Sequence, residues 1–231
     1  MIIQVRNKTA DHNGYRSARV KSLFNAERGN EFNLDANLPI EDIEWQIGLI
    51  VGPSGTGKTS IGNLLFNGGK ILDLYSGWDK NLPIVESLCP DADFNTVTGA
   101  LANVGLGDVP SWLRPFHALS NGQQFRAGLA RVMTEANSEV IIDEFTSVVD
   151  RQIAKIGAMA FAKGWRRNKG KKCILLSCHY DIVEWVQPDW LFDTGTGQFK
   201  KKAKSEPGQP SNWKSGRSIP LTGNILNRII I

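Results

Sequence analysis

Residues 52–59, Gly52-Pro53-Ser54-Gly55-Thr56-Gly57-Lys58-Thr59, fit the pattern G-x-x-x-x-G-K-[ST] of a phosphate-binding loop. The pattern constrains the fold because it works only between a strand and a helix. The run before it, Ile47-Gly48-Leu49-Ile50-Val51, reads as a buried parallel strand, and residues 60–66 after it read as a helix. Glycine lets the loop turn tightly, so that successive N–H groups can point at phosphate oxygens. The start of the helix adds a field that favours anions. In this setting Gly52, Pro53, Ser54, Gly55, Thr56, Gly57, Lys58, Thr59 and Ser60 are the candidate nucleotide-binding residues. Lys58 is expected to reach the β- and γ-phosphates, and the Thr59 hydroxyl to bind Mg²⁺.

Two later strands are placed to act on the same phosphates. Val140-Ile141-Ile142 is a short buried strand ending in Asp143 and Glu144. Ligands of parallel sheets gather at the carboxyl ends of strands. Two acids there are costly to desolvate unless they meet a cation or a reacting water. Asp143 is therefore the candidate partner of Thr59 at the metal, directly or through water, and Glu144 the group that orients and polarises the attacking water. Residues 172–177 form another buried strand and deliver His179 to the same end, where an imidazole can reach a γ-phosphate. Cys173, Cys178 and His179 do not match a zinc site: the spacing fits no usual pattern, and the two cysteines should point to opposite faces.

Between these strands lies Leu119-Ser120-Asn121-Gly122-Gln123-Gln124, followed by a helix with Phe125, Leu129, Val132 and Met133 on one side. Ser120 and Asn121 stand where an N-cap belongs. Asp150 is expected to cap a further helix over residues 151–169, with Ile153, Ile156, Phe161 and Trp165 on its apolar side and Gly170 as its stop.

Composition narrows the class. With 231 residues, 41% of them hydrophobic, the chain can bury a proper core. No run of 18 apolar residues exists, so no membrane span is expected. The first six residues lack the apolar core of a signal peptide, and the three cysteines form no tight motif, so a reduced, cytoplasmic setting fits best. The net charge of +4 is uneven: from Thr196 onward seven basic residues face one acid, a net +6, which leaves −2 on the other 195 residues. A basic end of that kind is either a solvated tail or an electrostatic contact for nucleic acid or an acidic partner.

The remaining segments give the organisation. Residues 19–24 and 31–35 alternate and read as two strands of an antiparallel β-layer, with residues 25–30 as their turn. Residues 67–118 read as a small, largely helical lobe, with a helix over 94–104. Residues 181–186 form a short helix stopped by Pro188, and residues 190–200 a closing hairpin. From residue 203 onward the composition is that of a flexible basic tail.

Together these motifs resemble the ATP-binding cassette ATPases. Gly52 to Thr59 matches Walker A, Leu119-Ser120-Asn121-Gly122-Gln123 the signature, Val140-Ile141-Ile142-Asp143 Walker B with Glu144 as catalytic carboxylate, Ser147-Val148-Val149-Asp150 the D-loop, and His179 the switch histidine. More narrowly the chain is similar to stand-alone bacterial and phage-type members, some of which are fused to acetyltransferase domains. The resemblance implies an α/β P-loop fold whose core sheet carries an N-terminal antiparallel β-layer and a small helical lobe. It implies an ATPase domain over residues 1–202, with the lobe at 67–118, the signature at 119–123 and the tail at 203–231. ATP and Mg²⁺ are the implied cofactors, with catalytic Lys58, Glu144 and His179 and metal-binding Thr59 and Asp143. It further implies a head-to-tail homodimer in which Ser120, Asn121, Gly122 and Gln123 of one chain meet the nucleotide of the other, and an effector protein. The family's adenine-stacking aromatic is best matched by Phe24, which serves equally well as plain core. Residues 60–118 contain no glutamine, whereas transporter subunits carry one there, so coupling to a transporter is disfavoured. Asn121 replaces a glycine, which is harmless unless its φ is positive.

Overall fold

Apolar residues of the central strands alternate between two cores, one on each face of a single sheet. In this computed structural model, which describes residues 1–8, 10, 14–24, 31–67, 71–136, 138–202 and 213–215, Ile50, Ile141, Ile174 and Leu176 point to one core, while Leu49, Val51, Val140, Ile142 and Leu175 point to the other.

The strands are β1 (Ile2–Lys8), β2 (Glu31–Asn37), β3 (Ile47–Val51), β4 (Ile71–Leu72), β5 (Glu139–Ile142), β6 (Lys172–Ser177), β7 (Trp190–Asp193), β8 (Gln198–Lys202) and β9 (Trp213–Ser215). The α-helices are α1 (Tyr15–Phe24), α2 (Lys58–Leu64), α3 (Ile84–Ser87), α4 (Phe94–Asn103), α5 (Val109–Trp112), α6 (Asn121–Glu135), α7 (Arg151–Trp165) and α8 (Ile182–Val186). The main sheet runs β4-β5-β6-β3-β7-β8-β9. Its first five strands are parallel, and β8 and β9 close it antiparallel. The strand before the phosphate loop, β3, thus lies between β6 and β7, one strand away from β5. The fold is α/β with an antiparallel strand pair, β1 with β2, set apart from the main sheet.

One core is closed by this pair together with α2: Ile3, Val5, Leu34 and Ala36 pack with Ile61 and Leu65. The other is closed by α4, α6 and α7, whose Leu101, Phe125, Leu129, Phe161 and Trp165 are fully buried. Gly48 in β3 is required by packing, because a Cβ there would sit 2.1 Å from the indole of Trp190. Trp190 in turn meets Trp45 edge-on at 5.4 Å.

Several elements differ from the sequence reading. Residues 19–24 are not a strand: they belong to α1, which has no buried residue, and Val20, Leu23 and Phe24 are exposed. Over six residues, alternation and helical spacing are hard to tell apart, and the apolar side chains Val20, Leu23 and Phe24 are exposed instead of forming the buried face of a strand. The partner of β2 is instead β1. The expected turn at 25–30 lies outside the described residues. Within 67–118, Ile71–Leu72 joins the main sheet beside β5, so the helical part begins only near Ile84. Helix α7 ends at Trp165 rather than Lys169. Its buried face is Ala154, Gly157, Ala158, Phe161 and Trp165, with Ile156 exposed, because small residues let α6 and the sheet approach that side. Of the expected flexible tail, residues 213–215 form β9 and extend the sheet; residues 203–212 and 216–231 lie outside the described residues. Among the described residues no helix is long and apolar enough to cross a membrane.

Candidate nucleotide-phosphate site

The carboxyl ends of β3, β5 and β6 bring the predicted groups to one edge of the sheet. Gly52 and Gly57, the two glycines the pattern requires, have positive φ (150° and 85°), as does Gly55 at a free position (76°), so the loop turns on glycines. Gly57 precedes the first turn of α2, and Lys58 and Thr59 are its first residues. Lys58 is buried, and its Nζ donates to Gly52 O and Pro53 O, both at 2.8 Å. The ammonium therefore lies across its own loop, held by two carbonyls.

Thr59 Oγ1 donates to Asp143 Oδ2 at 2.8 Å and ties the loop of β3 to the end of β5. Asp143 Oδ1 accepts from the N–H of Glu144 at 2.8 Å. Glu144 and Thr146 adopt left-handed backbone (φ 51° and 70°), a conformation that costs about 1–3 kcal/mol per residue and persists only when the surroundings enforce it. They are enforced through Phe145, which lies between them. Its ring is buried against Phe125 and Phe161, its N–H donates to Leu176 O at 2.9 Å, and its carbonyl accepts from Ser177 Oγ at 2.9 Å. Glu144 is left exposed at the apex. Ser177 Oγ also accepts from the N–H of His179 at 3.2 Å, so one hydroxyl links the Glu144 turn to the histidine. Burial, helped by the cation of Arg151, holds the His179 imidazole below its ordinary pKa, against opposing pulls from Asp181 and Glu144.

The donor set suits Mg²⁺ in kind: a hydroxyl and a carboxylate oxygen at hydrogen-bond distance are hard oxygen ligands. It is incomplete in number, since no group of three His, Cys, Asp or Glu side chains able to hold a metal occurs among the described residues. This fits an ion that takes its other ligands from phosphate and water.

Ser120 caps α6 and forms a capping box with Gln123: Gln123 N donates to Ser120 Oγ at 3.3 Å and Ser120 N to Gln123 Oε1 at 3.0 Å. Ser120 and Asn121 are exposed, whereas Gly122 is buried, where a Cβ would come within 2.9 Å of Ile153. Asn121 is helical and is not among the residues with positive φ, so the strain a glycine would relieve does not arise. Asp150 caps α7 by accepting from Gln152 N at 2.8 Å. Phe24 lies at the exposed end of α1, without a ring partner among the described residues.

Two groups went unread in the sequence. Thr194, fully buried in the β7–β8 turn, has its Oγ1 2.6 Å from Thr56 Oγ1 and 3.1 Å from Val51 O, bracing the phosphate loop from the side. Arg151 reaches Thr146 O (3.4 Å) and Oγ1 (3.3 Å), pairs with Asp181 and stacks over Trp185 at 4.8 Å. It joins the loop after β5 to the turn after His179. A threonine between an aspartate and a glycine and an arginine after a cap carry no local signal of either role.

No family model matches this chain. Among curated proteins it is 30% identical over 122 residues to the ABC transporter NFT1 of Saccharomyces cerevisiae strain ATCC 204508 / S288c, which covers 52% of this chain and 9% of that one. It is equally similar to the NFT1 of strain YJM789, where the match covers 7% of the relative. The chain therefore spans less than a tenth of the length of these relatives. Among solved structures it is similar to the dimeric MJ0796, a bacterial ABC transporter cassette (TM-score 0.54, 16% identity, 84% of this chain and 94% of that one). It is also similar to the MJ0796 cassette in a post-hydrolysis state bound to ADP and Pi (TM-score 0.60, 15% identity, 87% and 98%). The fold implied by the motif order is the fold observed.

Proposed function

From the premise that this chain carries the fold of the ATP-binding cassette ATPases, we propose that it is a Mg²⁺-dependent ATPase working as a nucleotide-driven dimeric clamp or switch. The observation that carries the reading is the convergence of Lys58, Thr59, Asp143, Glu144 and His179 on one sheet edge, with Thr59 and Asp143 joined at 2.8 Å. Lys58 exchanges its two loop carbonyls for phosphate oxygens. Thr59 and Asp143 hold Mg²⁺, which neutralises charge on the phosphates. Glu144 orients water from its exposed apex, and His179 stabilises the γ-phosphate. Ser120 and Gly122 offer a second chain's nucleotide the N-terminus of α6, a ready anion site. The nucleotide is then the interface glue, and the chain cycles between monomer and dimer. The dimeric MJ0796 cassettes support such pairing by fold.

The test is solution mass by light scattering, with and without MgATP. Glu144→Gln is expected to bind ATP, lose turnover by roughly a hundredfold or more, and shift from monomer to dimer. Lys58→Ala is expected to lose binding and the mass shift together. Full turnover in Glu144→Gln would overturn the role of Glu144. A monomer in every condition, with ATP bound, would overturn the homodimer.

A further inference from the structure

The net charge of this chain hides a sorting that only the fold displays. Residues 163–172, from the last turn of α7 to the start of β6, contain Lys163, Arg166, Arg167, Lys169, Lys171 and Lys172 and no acid. Cys173 pairs with Ile47 and Glu139 with Lys172, so this turn lies at the amino ends of β3, β5 and β6, opposite the phosphate loop. Strand β8 runs antiparallel and brings Lys201 beside Trp190 at the same end, with Lys202 one residue further. The two basic stretches meet at Gln187: Arg166 Nη2 donates to its backbone oxygen at 2.6 Å, and Lys202 Nζ to its Oε1 at 3.4 Å. Beside them Arg166, Lys169, Lys172, Trp45 and Asp189 line a cleft of about 620 Å³.

The acids at this end leave much of that charge free. Asp189 is engaged by Arg166 at 3.0 Å and by the N–H groups of Gln46 and Ile47, and Glu139 lies 4.0 Å from Lys172, while Glu44 faces the cleft. Lys163, Arg167, Lys169 and Lys201 are exposed and make no ion pair among the described residues. No exposed large apolar side chain lies within residues 163–172 or 198–202. A membrane surface or an amphipathic peptide would use such side chains for insertion or docking; a phosphate backbone needs none.

We propose that this basic end of the sheet is a binding surface for the phosphate backbone of nucleic acid, contacted without reading sequence. It faces away from the nucleotide site, so both can be occupied at once. The inference does not depend on the ATPase reading, and its test needs no turnover.

The experiment is fluorescence anisotropy of the full chain with a labelled duplex of arbitrary sequence, about 30 base pairs long, titrated with salt between about 50 and 200 mM. Wild type is expected to bind with a steep salt slope. The exposed triple variant Lys163→Glu, Arg167→Glu, Lys169→Glu should bind roughly tenfold or more weakly and lose about two to three from the slope, with folding unchanged by circular dichroism. The milder Lys163→Gln, Arg167→Gln, Lys169→Gln should fall between, which guards against a misfolded charge reversal. A full-length variant with Lys204, Arg217 and Arg228 replaced by Gln should keep most of the binding. Equal binding by wild type and the triple variant overturns the proposal, as does loss confined to the tail variant. Capture by phosphatidylserine vesicles with no DNA binding would assign the surface to membranes and overturn it equally.

Discussion

Asp143 and Asp189 sit at opposite ends of one sheet and do opposite work with the same carboxylate. Asp189 is saturated: it accepts from Gln46 N at 2.8 Å, Ile47 N at 2.9 Å and Arg166 Nη1 at 3.0 Å. Among the described residues Asp143 accepts from the Thr59 hydroxyl of α2 and from the N–H of its own neighbour Glu144. A carboxylate that has satisfied its lone pairs within the protein is a staple; one held only by a hydroxyl and a turn can exchange them for a cation. The same contrast runs through the surroundings. At the Asp143 end, backbone strain at Glu144 and Thr146 is held by Phe145 and Ser177. At the Asp189 end Gln187 has left-handed backbone (φ 45°), with its carbonyl held by Arg166 at 2.6 Å, and the chemistry there is a field of lysine and arginine. Strained backbone occurs at both ends, at Glu144 and Thr146 on one and at Gln187 on the other, and what separates them is the charge: acids stand at the first and uncompensated lysine and arginine at the second.

The largest effect should come from Asp143→Asn. On the reading above it removes the charge that a metal needs, so turnover should fall by roughly a hundredfold or more while the fold, with Thr59 still able to hydrogen-bond, loses under about 1 kcal/mol. Steady-state phosphate release and urea denaturation measure the two. A large stability loss with turnover retained would make Asp143 a second staple and erase the comparison. Asp189→Ala should do the reverse: it leaves two backbone N–H groups and a guanidinium without their acceptor and should cost about 2 kcal/mol. The folded fraction should keep its turnover. Because this removes a negative charge beside Arg166, it should also tighten any polyanion held at that end.

These ends were not equally legible in the sequence. The phosphate loop, the two acids after Val140-Ile141-Ile142, His179 and the Ser120 cap are local patterns: each is written within a few residues and at a strand or helix end. What escaped depends on partners far away in the chain. Residues 19–24, the second half of α1, read as a strand although Val20, Leu23 and Phe24 stand at helical spacing, and their exposure leaves no buried face to mark the period. Strand β9 and the two residues of β4 are too short to carry a period, and they exist because β8 and β5 offer open edges. Thr194 braces Thr56 across 138 positions. The basic end joins residues 163–172 to residues 201–202, and a count along the chain had assigned the latter to a tail.

The smallest effect probes how the loops around Glu144 and His179 are held together. Arg151 follows the Asp150 cap, and its guanidinium spans Thr146, Asp181 and Trp185. Arg151 and Asp181 are both near half-exposed, so their pairing adds little stability, and Arg151→Ala should cost only about 1 kcal/mol. Its informative consequence is at His179. Burial is the larger cause of the depressed imidazole pKa and stays in place, while the Arg151 cation, the second cause, is removed. Asp181 loses its partner, and both Asp181 and Glu144 pull the imidazole toward the protonated form. The His179 midpoint should therefore rise, readable as the pH titration of its ring carbon and proton shifts by NMR. A midpoint that stays put would mean that Arg151 fastens the loops without acting on the histidine's charge. A midpoint that rises, with turnover losing its plateau on the acid side, would make Arg151 a positioning residue that keeps His179 neutral at the reacting end.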